Sequence, residues 1–249
     1  RGLHLIISVN QNVPTCVASG GNNGCRPNPN YASNSQYSSL ADSNYNAMHV
    51  AFVQRPVRWG NYRVSYTYSK SLNNVGEFFF SSPINHYNIW QDYGRSDDDQ
   101  RHRFVFNGTT QTSTDPAKNV WEHLSHGFQL SAMVQYYSAL PFNITTGTTT
   151  IQGTNARPTV NGTFIDRNAG TGFDFVNLNA RLRRTFRLTE RVRLEGIVEG
   201  FNLLNRVNGV TRNGVFGTGA YPTNPSPTFG QTTSVGDPRT MQLALRLTF

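Results

Sequence analysis

Along this chain apolar and polar residues alternate one by one in short runs. At the C-terminal end Met241, Leu243, Leu245, Leu247 and Phe249 are apolar, while Gln242, Ala244, Arg246 and Thr248 are small or polar. Val176, Leu178, Ala180 and Leu182 alternate with Asn177, Asn179, Arg181 and Arg183. Val192, Leu194 and Val198 alternate with Arg193, Glu195 and Glu199, and Tyr62, Val64, Tyr66 and Tyr68 with Arg63, Ser65, Thr67 and Ser69. A period of two sends successive side chains to opposite faces of a strand, so each run predicts a β-strand with one apolar and one polar face. Eight strands are predicted, over residues 2–9, 45–55, 62–71, 102–112, 128–138, 176–188, 192–201 and 240–249. Their length is near the ~9–11 residues that cross a bilayer in a tilted barrel. The runs 45–55 and 102–112 alternate less cleanly. Between the runs no segment has sustained helical periodicity.

The connections alternate in length. Residues 10–44, 72–101, 139–175 and 202–239 are long, whereas 56–61 and 189–191 are short and 113–127 is intermediate. Outer-membrane barrels have short periplasmic turns and longer outer loops in this order, and a soluble sandwich has no reason to keep its long loops at one end. The predicted fold is therefore all-β, an antiparallel transmembrane β-barrel whose apolar face meets lipid and whose polar face lines a lumen. Tyrosines near strand ends suit an aromatic girdle at the headgroups.

Composition agrees. Only 37% of residues are hydrophobic and the mean hydropathy is −0.49, lean for a chain of 249 residues built around a buried core. A barrel wall needs apolar residues only at alternate positions. The net charge is +8, with Lys70 and Lys118 the only lysines. The arginines are scattered among alternating segments, often beside Asp or Glu, with no basic helix or arm, which argues against nucleic acid as a partner. Cys16 and Cys25 lie in a Gly/Asn/Pro-rich loop and are predicted to form a disulfide in an oxidising compartment; two free thiols are the alternative. The chain opens at Arg1 within a strand-like run, so a fragment or a processed piece is expected.

Several stretches resemble one family. "YNAMHVAFVQR", "YRVSYTYSKSLNN", "DYGRSDDDQRHRFVFNGT", "NLNARLRRTFRLTERVRLEGIVEGFNLLNRVN" and "DPRTMQLALRLTF" resemble the C-terminal barrel of Oar-like TonB-dependent outer-membrane receptors, some of which carry a carboxypeptidase-regulatory-like domain. The resemblance implies a barrel of about 22 strands around an N-terminal plug, energised by the TonB system through that plug. Residues 1–249 would then be its C-terminal segment, about eight strands, with the plug and the N-terminal strands absent. It further implies the outer membrane of a Gram-negative bacterium, contact with its lipid, and a terminal strand ending in Phe249 that barrel-assembly machinery reads. The function implied is transport of a substrate across that membrane. A complete eight-stranded barrel acting as an adhesin or surface binding protein is the alternative.

Candidate chemistry is sparse. "RSDDDQRHR" (residues 95–103) gathers three carboxylates, three arginines and a histidine. It lacks the regular oxygen spacing and glycine turn of a calcium loop, and reads as a salt-bridged entry from a long loop into a strand. His123 and His126 in "WEHLSH" do not match a helical zinc motif and are expected to be solvated. With no nucleophile elbow or phosphate loop, the chain is predicted not to be an enzyme and to need no cofactor or metal. Arg181, Arg183, Arg193, Glu195, Glu199 and Arg246 are expected to face the lumen and to pair across strands. A three-residue turn at 189–191 sets Leu188 opposite Val192, and hence Arg181 opposite Glu199, Leu182 opposite Val198 and Phe186 opposite Leu194. Arg184 then falls on the lipid face opposite Gly196, where it either snorkels to the headgroups or sits at a bulge.

Overall fold

The structure is a computed structural model that describes residues 2–16, 22–76, 82–113, 115 and 118–249. Eight long strands dominate it: β1 (Gly2–Asn10), β2 (Ser35–Val57), β3 (Gly60–Asn73), β4 (His102–Gln111), β5 (Phe128–Tyr137), β6 (Phe175–Arg187), β7 (Arg193–Phe201) and β8 (Thr240–Thr248). Each pairs antiparallel with the next in chain order, and Gly94–Arg95 adds a short strand beside β3. β1 and β8 do not pair, so among the described residues the sheet is open.

Cross-strand pairing carries the two faces from strand to strand. Phe52, Val64, Phe106, Val134 and Leu178 stand side by side across five strands. Leu130, Leu182, Val198 and Leu243 do so across four. On the opposite face Ala51, Ser65, Val105, Gln135 and Asn177 form a parallel row. This assigns the faces of the two runs that alternate weakly, because their neighbours fix them. The apolar face is bare: Leu243 and Leu245 are 79% and 80% exposed. Contiguous exposed apolar rows of this kind mark a surface that meets something other than water.

Seven of the eight predicted strands occupy the predicted positions to within two residues. β2 is the exception, running ten residues earlier than expected, from Ser35. Its first part, Ser35 to Ser43, pairs with β1, and the part from Ser43 onward pairs with β3. The early part, "SQYSSLADS", is polar and unpatterned because it extends beyond the lipid-facing rows, where no face has to be apolar. Here β1 and β2 pack Ile7, Val9 and Ala41 against Val75, with Leu5 and Ile89 at the margin. This small apolar core lies at the end of the long loops. Those loops also hold three two-stranded ribbons: Pro141–Phe142 with Gly170–Thr171, Thr159–Val160 with Thr163–Phe164, and Gly209–Arg212 with Thr232–Val235.

At the other end the connections are tight. Val57 pairs with Gly60 around Arg58 and Trp59; Gly60 has φ 151°, and a side chain there would run into the Thr109 carbonyl. Between β6 and β7, the Leu188 N–H donates to the Val192 carbonyl at 3.0 Å. The predicted register follows, with Arg181 opposite Glu199, Leu182 opposite Val198, Phe186 opposite Leu194 and Arg184 opposite Gly196, without a bulge. The intermediate connection differs from expectation, since it contains a helix, α1 (Val120–Ser125). Asn119 caps it by accepting the Glu122 N–H at 2.9 Å, and the Glu122 carboxylate accepts the Lys118 N–H at 2.7 Å. Six residues are too few for a periodic signal; the capping residues alone mark the helix.

Candidate functional site at the polar wall and outer loops

The polar face of β5–β8 is a ladder of paired groups. Arg181 Nε lies 3.3 Å from Glu199 Oε1, and Arg183 Nη1 lies 3.4 Å from Glu195 Oε1. Arg246 sits opposite Glu195 on β8, and Arg193 lies opposite Arg187 on one side and Thr248 on the other. All six charged positions expected on the lumen side thus share one face. Further along it, Thr109 and Ser131 share a 3.0 Å hydrogen bond, and Gln135 donates to the Tyr137 hydroxyl at 2.8 Å. Arg193 faces a like charge in Arg187 rather than a carboxylate, and the buried Asn177 Oδ1 and Arg183 Nε have no partner among the described residues. The wall is thus polar and partly cross-braced, suited to lining a water-filled space.

Above it the long loops are locked by buried ions. Asp99 is fully buried; Arg95 Nε and Arg101 Nη2 approach its Oδ2 at 2.9 and 3.0 Å, and the Ser71 N–H donates to its Oδ1 at 2.8 Å. The 95–103 stretch is therefore the salt-bridged loop-to-strand entry expected of it. Asp97 joins it to a distant loop through Arg167 (2.9 Å) and the Asn168 amide (2.7 Å). Asp92 binds the buried Arg157 at 2.7 Å and accepts the Ile84 N–H at 2.7 Å. Burial pushes the Arg157 guanidinium below its ordinary pKa, against the opposing pull of Asp92. Burial likewise lowers His86, whose Nδ1 accepts the Asn10 N–H at 2.9 Å. Arg157, Arg167, Asp92 and Asn168 carry no local sequence signal; each matters only because folding brings far-apart loops together.

Two clefts open among these loops. One of about 600 Å³ is polar and lined by Asn74, His86, Asp92, Arg157 and Asn168. The other, about 820 Å³, is walled by Tyr137, Phe142, Phe173 and Phe175 beside Arg212. Arg212 stacks 4.0 Å from the centre of the Phe173 ring. Cys16 and Cys25 are joined as a disulfide, with Cα atoms 5.4 Å apart, in the first long loop.

The profile of the family described as Outer membrane beta barrel domain matches residues 1–166 and 159–242 of this chain. The chain belongs to that family. Its two-faced sheet is accordingly the wall of a barrel in the bacterial outer membrane, with the bare apolar rows against lipid. Comparison with curated proteins gives no match. Among solved structures the chain is similar to the crystal structure of the outer membrane transporter YddB from Escherichia coli. The TM-score is 0.56 at 12% identity, over 99% of this chain and 28% of the transporter. At that identity the likeness concerns the fold, and the chain spans 28% of the transporter's length.

For an outer membrane barrel domain the short connections mark the periplasmic end and the long ones the outer end. Arg184 then lies on the lipid face close to the periplasmic rim. Its guanidinium stacks 4.6 Å from the Phe128 ring centre and 4.7 Å from that of Phe186, and donates to the His123 carbonyl at 2.6 Å. The charge is drawn along the wall toward the rim, as snorkelling requires. The alternating residues of the terminal strand, Met241, Leu243, Leu245, Leu247 and Phe249, all lie exposed, Phe249 at 93%. His123 is exposed, and His126 Nδ1 is 3.1 Å from the Asp115 carbonyl.

Proposed function

We propose that the chain forms a sector of the wall of a TonB-dependent transporter of the Oar-like kind, its polar face bordering the path of the substrate. The observation that carries this reading is the open meander. Among the described residues β8 is paired along one edge only, and β1 covers only the outer part of β2. Lipid offers no hydrogen bonds to a bare strand edge, so such a sheet needs further strands to close it. The likeness to a transporter of which this chain spans 28% supports a sector rather than a whole barrel. A plug inside the closed barrel would couple it to TonB, and the terminal strand ending at Phe249 would engage the barrel-assembly machinery. On this reading the chain is not an enzyme: its charged groups brace one another along the wall and its loops.

The test is to isolate, from outer membranes, the polypeptide that contains these residues and to probe its binding to the periplasmic domain of TonB. A longer protein with a plug that binds TonB is expected. A barrel of these 249 residues alone, indifferent to TonB, would overturn the proposal.

A further inference from the structure

The helix α1 presents an apolar arc that none of the described residues covers. Val120, Trp121 and Leu124 are 71%, 79% and 55% exposed. At about 100° per residue these three fall within one arc of about 100°; Glu122 lies opposite it, His123 about 60° beyond its Val120 edge, and Ser125 only about 40° beyond its Trp121 edge. The helix is also not free to swing. The Asn119 side chain caps it and the Gly127 N–H donates to the Ser113 carbonyl at 2.9 Å. Gly127 has φ 79°, and a Cβ there would collide with the Thr185 carbonyl, so the chain passes tightly against β6 as it enters β5.

Where the helix is tied decides what faces it. The tie is Arg184, which stands on the lipid face and donates from Nη2 to the His123 carbonyl at 2.6 Å. Its guanidinium also rests against Phe128 and Phe186, both on the lipid face. The helix thus hangs beside the lipid-exposed rows at the short-turn end of the barrel. On the lipid face at this end Leu130, Phe186 and Leu188 are likewise 44%, 41% and 58% exposed. The same end also carries the cationic Lys118, Arg184 and Arg191, able to meet phosphate, alongside Glu122 and Glu190. An aromatic that is greasy at one end and a hydrogen-bond donor at the other suits the headgroup boundary.

We propose that α1 is an interfacial anchor, with Val120, Trp121 and Leu124 inserted among the phospholipids of the periplasmic leaflet and Arg184 holding the helix to the wall. The partner is the phospholipid itself. This inference rests on the chain's membership of an outer-membrane barrel family and is independent of coupling to TonB.

The test uses spin labels on single cysteines in the intact protein, reconstituted in bilayers of phosphatidylethanolamine and phosphatidylglycerol. Cys16 and Cys25 are tied in a disulfide and these residues include no free cysteine, so within them the introduced thiol alone reacts. Labels at V120C, W121C and L124C should collide several-fold more with lipid-dissolved oxygen, relative to a water-soluble nickel chelate, than a label at H123C, whose backbone carbonyl still accepts from Arg184. R184Q should reduce that contrast and increase the label's mobility at W121C while leaving barrel folding intact. If all four sites meet the nickel chelate alike, the helix lies in water and the proposal fails. If the three apolar sites are shielded from both reagents, a protein partner covers them and the proposal fails equally.

Discussion

Asp99 shows how much one side chain holds. Its carboxylate is fully buried, yet it joins two arginines and a backbone N–H at the point where a long outer loop enters β4. D99N keeps the shape and removes the charge, leaving Arg95 and Arg101 facing each other. Breaking a fully buried pair costs about 3–5 kcal/mol. The arginines here are 29% and 28% exposed, so water screens them and the loss should fall at or below the lower end of that range. Urea unfolding, together with protease nicking of the outer loops, would measure it; an unchanged midpoint would contradict the clamp. His86 supplies a pH-dependent contact of the same kind. Burial holds its pKa below the ordinary 6.5, so between the two values the unfolded chain binds more protons than the folded one. Stability therefore rises with pH through that window, is complete above 6.5, and is lost as pH falls below it. Protonation also removes the acceptor that Nδ1 offers to the Asn10 N–H. The protection of the Asn10 amide, its exchange rate taken relative to the intrinsic rate at each pH, should fall on acidification below that value in the native protein and show no such step in H86Q.

At the scale of elements, the β6–β7 hairpin is where sequence and structure coincide most closely, and it offers a direct test. Arg181 and Glu199 are opposite each other, 3.3 Å apart, with Arg181 49% exposed. A double-mutant cycle with R181A and E199A should give a coupling of about 0.2–1 kcal/mol, toward the low end for so exposed an arginine. R181E should cost stability that E199R restores; failure of the swap to rescue would mean that the pair does not couple. The hairpin was legible because lipid on one side and water on the other impose a strict period of two, and a short turn then fixes the register. Where that constraint ends, legibility ends. The outer part of β2 stands beyond the lipid rows, so Ser35 to Asn44 carries no alternation although it is strand. α1 is too short for a helical period and is marked only by Asn119 and Glu122. The outer loops are harder still. The pairing of Asp92 with Arg157, or of Asp97 with Arg167, depends on which loops fold over which, and neither partner looks unusual in its own neighbourhood. The 95–103 stretch announced its salt bridges by composition, but not that Asp99 would be the buried member.

At the scale of the whole molecule, the unpaired edges govern behaviour. β8 bonds to β7 along one edge, and its other edge meets no strand among the described residues. The same holds for the β1 side of β2 beyond Ser43, because the β1 pairing stops there. In water, bare edges recruit other chains and aggregate. In lipid each unmet N–H or C=O costs several kcal/mol, which no side-chain packing on an eight-stranded arc offsets. The apolar rows call for the membrane, whereas bare edges are costly there. On the sector reading proposed above, both demands are met together when β8 and the exposed part of β2 are covered by further strands of one closed barrel. These 249 residues refolded alone in detergent should therefore be polydisperse, with the Thr240–Thr248 amides on the free edge exchanging rapidly. Within the intact protein in a bilayer the same amides should be protected. A monodisperse species from the isolated residues, with those amides protected, would mean that β1 shifts to meet β8 and that eight strands close on themselves; the sector reading would then give way to a complete small barrel.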